Sequence, residues 1–116
     1  MKKTDELTAR AKEATIRFLK RKNYSILDRS PEGFAAVAKD ADAVVFVEVR
    51  VRDSAERGFD DGPVDRRGFE LAAAAWLAEH GEVGADLLVR FDVVSLLILG
   101  NDRALLRHHI NAASEG

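Results

Sequence analysis

The chain has 116 residues, 47% of them apolar and 33% charged, with a net charge of −2; this is the profile of one soluble globular domain, long enough to bury a core without staples. It has no cysteine, which excludes a disulfide framework and thiolate metal sites, and its charge balance excludes the molecule-wide basic field of a general nucleic-acid binder. Met1-Lys2-Lys3 leads into Thr4-Asp5-Glu6 rather than an apolar run, and the run from Leu71 to Ala78 is too short to span a bilayer, so the expectation is a cytoplasmic protein with no membrane role.

The charge is unevenly spread. Residues 1–52 carry 12 Lys/Arg against 8 Asp/Glu, residues 53–65 carry 1 against 5, and residues 66–116 carry 5 against 7. A local basic face on the N-terminal half is therefore open.

Thr4 suits a helix N-cap, with Asp5 and Glu6 in the first turn. Leu7, Ala11, Ala14 and Phe18 recur at helical spacing, and Leu19 widens the stripe. The other face holds Arg10, Lys12, Glu13, Arg17, Lys20 and Arg21, either a solvated surface or a phosphate-contacting one. Asn23 can take the left-handed conformation that ends a helix.

Tyr24 to Asp28 reads as a short strand, Arg29 to Gly33 as a turn, and Phe34 to Lys39 as a second strand. Asp40-Ala41-Asp42 then turns the chain into Ala43 to Arg52, which is rich in β-branched residues and apolar until Glu48. These strands suggest an antiparallel meander. Side chains alternate across a strand, so Val44, Phe46, Glu48 and Arg50 share one face. Glu48 and Arg50 project side by side where that face stops being apolar, either as an ion pair at a strand end or as the remnant of a metal-dependent nuclease centre.

Residues 53–65 are acidic and carry two glycines and a proline, and should form a mobile loop. Their carboxylates lack the ligand spacing of a calcium loop. Arg66 to His80 follows as a second helix, burying Phe69, Ala73, Trp76 and Leu77 and ended by Gly81. Arg66 and Arg67 border the acidic loop, as its ion-pair partners or as phosphate contacts, and the first is the expectation. Asp86 to Leu99 holds a further strand, and Ala104 to Ile110 a last, edge-like one. Adjacent His108 and His109 point to opposite faces, cannot chelate one metal together, and read as surface or edge residues. Residues 111–116 form a tail. The expected architecture is α/β, a mixed central sheet flanked by helices in the order α-β-β-β-α-β-β, within a single domain spanning 1–116.

Val45-Phe46-Val47-Glu48-Val49-Arg50-Val51-Arg52 resembles the Phe-Val-Glu-Val-Lys-x-Arg signature of the YraN-like uncharacterised bacterial protein family, which has a restriction-endonuclease-like fold. The resemblance covers most of the chain. Phe18-Leu19 with Asn23-Tyr24-Ser25-Ile26-Leu27, Ala74-Ala75-Trp76-Leu77, Arg90-Phe91-Asp92-Val93-Val94 and Ile110-Asn111-Ala112 are similar to further blocks of that family in the same order.

The resemblance implies a site built from an Asp on the second strand and Glu-x-Lys on the third. The carboxylates hold a divalent metal, commonly magnesium, and the lysine orients or activates water. Carried over by position, Glu48 matches the Glu, and Arg50 stands at the Lys position. The Asp position falls on Ala35, or on Ala36 after a shift of one residue. A first-helix Glu position falls on Lys12, with Glu13 beside it but about 100° around the helix axis. Arginine does not readily give up a proton, so Arg50 is no equivalent of lysine.

The resemblance thus implies a nuclease fold with a degenerate centre, which leaves three alternatives. The first is a catalytically inactive module that contacts DNA or RNA through Lys12, Arg17, Arg50 and Arg52, with no metal or other cofactor. The second is a protein-interaction scaffold or a homodimer formed through an edge strand. The third is an active magnesium-dependent endonuclease in which Asp53 or Glu13 supplies the missing carboxylate.

Overall fold

The computed structural model describes residues 3–53, 58–83, 87–100 and 103–112. Helix α1 spans Lys3–Arg21, so Thr4 falls inside it rather than before it. The predicted stripe buries Ala11 and Leu19, joined by Thr15 and Ile16. The Thr15 hydroxyl donates back to Ala11 O at 2.8 Å, so a polar group on the buried side has its partner within the helix. Asn23 ends the helix at φ 69°, and the Tyr24 N–H closes onto Leu19 O at 3.0 Å.

Three strands then form the expected meander: β1 (Ser25–Asp28), β2 (Ala36–Asp40) and β3 (Ala43–Arg52), each antiparallel to the next. The strand expected over Phe34 to Lys39 starts two residues later. Ala35 still bonds to β3, its N–H donating to Val47 O at 2.8 Å, but Phe34 turns its ring toward Phe46 and Phe69 on the helix side. Just before it, Gly33 sits at φ +90°, and a Cβ there would lie 3.2 Å from Ala72 Cβ. Glycine is therefore required both by the backbone and by the close approach of the second helix.

Helix α2 (Arg66–Glu79) carries the chain across to β4 (Leu88–Ile98), which pairs in parallel with β3 over ten residue pairs from Ala43↔Leu88 to Arg52↔Leu97. A parallel neighbour needs such a crossover. The helix starts at Asp65, whose carboxylate accepts the Gly68 N–H at 2.9 Å. It ends at His80 rather than Gly81 and is followed by a short 3-10 turn, Gly81–Val83, which the sequence did not announce. Strand β5 (Ala104–His109) returns antiparallel to β4. The sheet order is β1-β2-β3-β4-β5, with β3 in the middle. The fold is α/β, a five-strand mixed sheet flanked by helices in the expected order.

The two faces carry separate cores. On one, α1 covers Val45 and Val47 of β3, Ala38 of β2 and Val94 and Leu96 of β4. On the other, α2 presses Phe69, Ala73 and Trp76 onto Phe34, Val44, Phe46 and Val93. Phe46 anchors that side, with ring centroids 5.1 Å from Phe34, 5.7 Å from Trp76 and 5.9 Å from Phe91, separations at which aromatic pairs add to plain burial. Trp76 is core, as its spacing predicts. Its indole N–H donates to Asp28 at 2.8 Å, and this bond, with the Ser30 N–H, holds the Asp28 carboxyl below the usual carboxylate range. No helix among the described residues is long and apolar enough to cross a membrane.

Candidate functional site

Along β3 the α2 face is apolar through Val44 and Phe46 and becomes charged at Glu48, Arg50 and Arg52. The change falls where β2 ends: Ala36 pairs with Val47, the last pair of that ladder. Ala35 does not continue that register: its N–H donates to the O of the same Val47 that pairs with Ala36. Ala36, the shifted alternative, is wholly buried and faces the other side of the sheet.

The Arg50 guanidinium fills the space over this end of the strand. Its Nε donates to Glu48 Oε2 at 2.6 Å, Nη1 to Gly62 O at 2.7 Å and Nη2 to Pro63 O at 3.1 Å. Asp60 Oδ1 stands 4.0 Å from Nη1 and 3.8 Å from Arg52. The Arg50 side chain is only 13% exposed, against 31% for Glu48. A magnesium ion needs oxygen ligands at about 2.1 Å. The donor set does not fit one: two carboxylates and two carbonyl oxygens surround a fixed guanidinium, and the Glu48 oxygen nearest the centre is already its acceptor. Among the described residues no group of three or more Asp, Glu, His or Cys side chains could hold a metal ion.

The same contacts organise the acidic segment expected to be mobile. Gly62 and Pro63 are tied to Arg50, while Asp61 pairs with Arg107 of β5, whose guanidinium lies 4.2 Å over the Phe59 ring. Residues 54–57 lie outside the described residues. Arg66 pairs with Glu70 one turn on, at 3.5 Å, rather than with the acidic loop. In an i,i+4 pair within one helix the partner is always at hand. A cavity of about 700 Å3, lined in part by Arg50, Asp60, Ser95 and His109, opens between this loop and the sheet.

The other expected site residues lie elsewhere. Lys12 and Arg17 are on α1, across the sheet from Glu48, and Lys12 acts electrostatically on Asp28. Glu13, one candidate for a replacement carboxylate, is bonded to Arg29 at 3.2 Å. Glu13 and the second candidate, Asp53, both line a groove on the α1 side.

A second charged cluster was not expected as a site. Asp92, fully buried on the α1 face of β4, accepts four hydrogen bonds. Arg90 supplies two, at 3.0 and 3.1 Å, His108 Nε2 one at 2.7 Å, and the Asn111 N–H one at 2.9 Å. Burial pushes the Asp92 carboxyl up, but the bonds from His108, Arg90 and Asn111 outweigh it, leaving it below its ordinary value. Arg90 also reaches Asp40 at 3.0 Å and the Tyr24 hydroxyl at 2.7 Å. Its own pKa is affected first by burial, which lowers it, and more strongly in sum by Asp92, Asp40 and Tyr24, which raise it. Lys22 Nζ lies 3.3 Å from His108 Nδ1. An ammonium only donates, so Nδ1 accepts and the ring proton sits on Nε2, aimed at Asp92.

Both histidines lie on the edge strand, as expected, but only one of them is a surface residue. His109 is exposed, but the His108 side chain is 5% exposed. Position 108 pairs with Val94 and so shares the α1 face, where Phe18 meets the imidazole edge-on at 5.5 Å.

A five-strand mixed sheet between helices, in the order α-β-β-β-α-β-β, is an α/β architecture consistent with a nuclease-like core. The model of a family described as "Uncharacterised protein family UPF0102" matches residues 11–96. Relatives carry the same description along their length. A UPF0102 protein of Geobacter sulfurreducens is 34% identical over 113 residues, covering 91% of this chain and 87% of its own. One from Beutenbergia cavernae is 32% identical over 117 residues, covering 93% and 96%. One from Yersinia pseudotuberculosis is 40% identical over 78 residues, 65% of each chain. The chain belongs to the UPF0102 family, the YraN-like family that its motifs resemble.

Proposed function

We propose that this chain is a nuclease-fold protein that has lost hydrolysis and acts by contacting nucleic acid. The observation that carries the first half is the Arg50 guanidinium, bonded to Glu48 at 2.6 Å among oxygens that would otherwise face a cation. A built-in organic cation supplies charge and hydrogen bonds, but it cannot exchange water or lower the pKa of a bound one. Ala35 and Ala36, the two residues at the second-strand position that the resemblance implies, carry no carboxylate to bind metal.

The second half rests on α1, whose Arg10, Arg17, Lys20 and Arg21 are exposed on the surface of a nuclease-like core. Fold analogy alone is an associational warrant, so the charge distribution has to support it. Arg50 and Arg52 are turned toward the acidic loop, which leaves the helix as the stronger phosphate-contacting surface.

The test is incubation with single-stranded, duplex and branched DNA and with RNA, in magnesium or manganese. No cleavage is expected, and none is expected of Arg50→Lys, which still lacks the second-strand acid. Cutting that disappears in Glu48→Ala would overturn the inactive reading. Gel-shift binding is expected at low salt, where phosphate contacts are strongest; its absence there would remove the nucleic-acid reading. A scaffold or homodimer role is the alternative, favoured by β5, which ends the sheet with Leu105 48% exposed. Light scattering tests it: a monomer at high concentration excludes the homodimer.

A further inference from the structure

We infer that the groove between α1 and the far ends of β4 and β5 is a binding site for single-stranded nucleic acid; this rests on the nucleic-acid reading above and gives it a place and a substrate class. The groove holds about 910 Å3 and lies on the opposite side of the sheet from Glu48. Its floor is apolar, with Leu7 from α1 and Ile98 and Leu99 from β4 and the turn after it. Arg10 and Arg17 stand along one wall, and Arg103 closes the other.

What singles out these arginines is their place along the groove; among the described residues they share with Arg21 and Arg67 the lack of an ion pair. Arg29, Arg50, Arg66, Arg90 and Arg107 all engage carboxylates, and Arg52 lies near Asp60. Among the described residues no ion pair takes Arg10, Arg17 or Arg103, and all three are exposed. Glu13, on the same wall, is already held by Arg29 at 3.2 Å. Asp53, just after β3, is the other acid of the lining among the described residues.

Seven residues separate Arg10 from Arg17, which is two helical turns and about 10 Å of rise. Separate guanidiniums at that spacing match a ligand with repeated anions better than one with a single charged head. Each presents a planar fork suited to phosphate oxygens. An apolar floor between them suits the faces of unpaired bases, which a single strand exposes and a duplex keeps stacked inside. With phosphate contacts supplying the affinity, such binding is tolerant of sequence.

The experiment is fluorescence anisotropy of a labelled oligothymidine titrated with the full chain, from 50 to 200 mM salt. Three single-strand phosphate contacts give a log–log salt slope of about −2, so affinity should fall about 20-fold over that range. Each Arg→Ala change at positions 10, 17 and 103 should reduce the steepness by about 0.7, and the triple variant should lose it. Arg67→Ala, an exposed arginine outside the groove, should keep it. Because these side chains have no described partner, folding should survive, with an unchanged thermal melt as the check.

Wild-type binding that the triple variant retains would overturn the groove while leaving nucleic-acid contact intact. No oligonucleotide binding at 50 mM salt would overturn both. Duplex bound as tightly as the single strand would overturn the substrate class. Capture of anionic phospholipid vesicles in place of the oligonucleotide, lost in the same variant, would overturn it in favour of a lipid.

Discussion

The sheet carries the same charge pattern twice, an acid and an arginine two residues apart, on adjacent parallel strands and opposite faces. Arg90 and Asp92 lie beneath α1, with the acid wholly buried and held by four donors from three residues. Glu48 and Arg50 lie beside the acidic loop, with the acid 31% exposed and bonded to Arg50. Asp92 is enclosed by protein, although Arg90 keeps 17% of its side chain exposed, slightly more than the 13% of Arg50. Glu48 sits past the end of the β2 ladder, and Arg50 lines a cavity and holds loop backbone.

The difference should appear first in stability. Asp92→Ala leaves the His108 and Asn111 donors without their acceptor and Arg90 with only Asp40 and the Tyr24 hydroxyl. It is expected to cost about 3–5 kcal/mol, the usual result of breaking a buried pair from one side. Urea unfolding measures it, and a loss below about 1 kcal/mol would mean that the two pairs are not different in kind.

Acid should act through the same residue. The folded Asp92 carboxyl lies below its ordinary value, so as pH falls the unfolded chain takes up the proton first. The stabilisation is complete above the unfolded value of about 3.9 and disappears as pH passes through the lower folded one. Asp28 contributes in the same sense. Unfolding followed by circular dichroism below about pH 4 should therefore steepen in the wild type and flatten in Asp92→Ala.

Arg50→Ala is the smaller perturbation, expected at about 1–2 kcal/mol through lost charged hydrogen bonds. Its distinguishing effect is local: faster amide exchange in residues 58–65, with the α1 side unchanged. Glu48→Gln should cost less than about 1 kcal/mol, as partly exposed ion pairs do. Equal costs for Glu48→Gln and Asp92→Ala would erase the contrast.

Much of the fold was legible because it follows from local periodicity. The bounds of β3 and the core role of Trp76 come directly from the alternation and helical spacing of their apolar residues. Glu48 and Arg50 stood out because they interrupt a valine strand. Arg90 and Asp92 interrupt theirs in the same way, yet their meaning was hidden. The groups that complete that cluster, His108, Asp40 and Tyr24, lie between 16 and 66 residues away in the chain, and only the folded sheet brings them together. His108 was misread for the same reason, since the face an edge strand buries depends on its pairing with β4. The groove was equally out of reach, because Arg103 meets α1 only through the sheet order.

The parallel pairing of β3 with β4 has a consequence for how the chain finds its structure. A ladder of valines and leucines is nearly self-similar, and displacing one strand by a single position would still bring apolar groups together. It would also rotate Arg90 and Asp92 out from under α1 and into the ring cluster of Phe46 and Trp76, where none of their partners waits. The electrostatic penalty of that misalignment makes the buried pair a proofreader of assembly, rejecting near-correct alignments that hydrophobic collapse alone would accept.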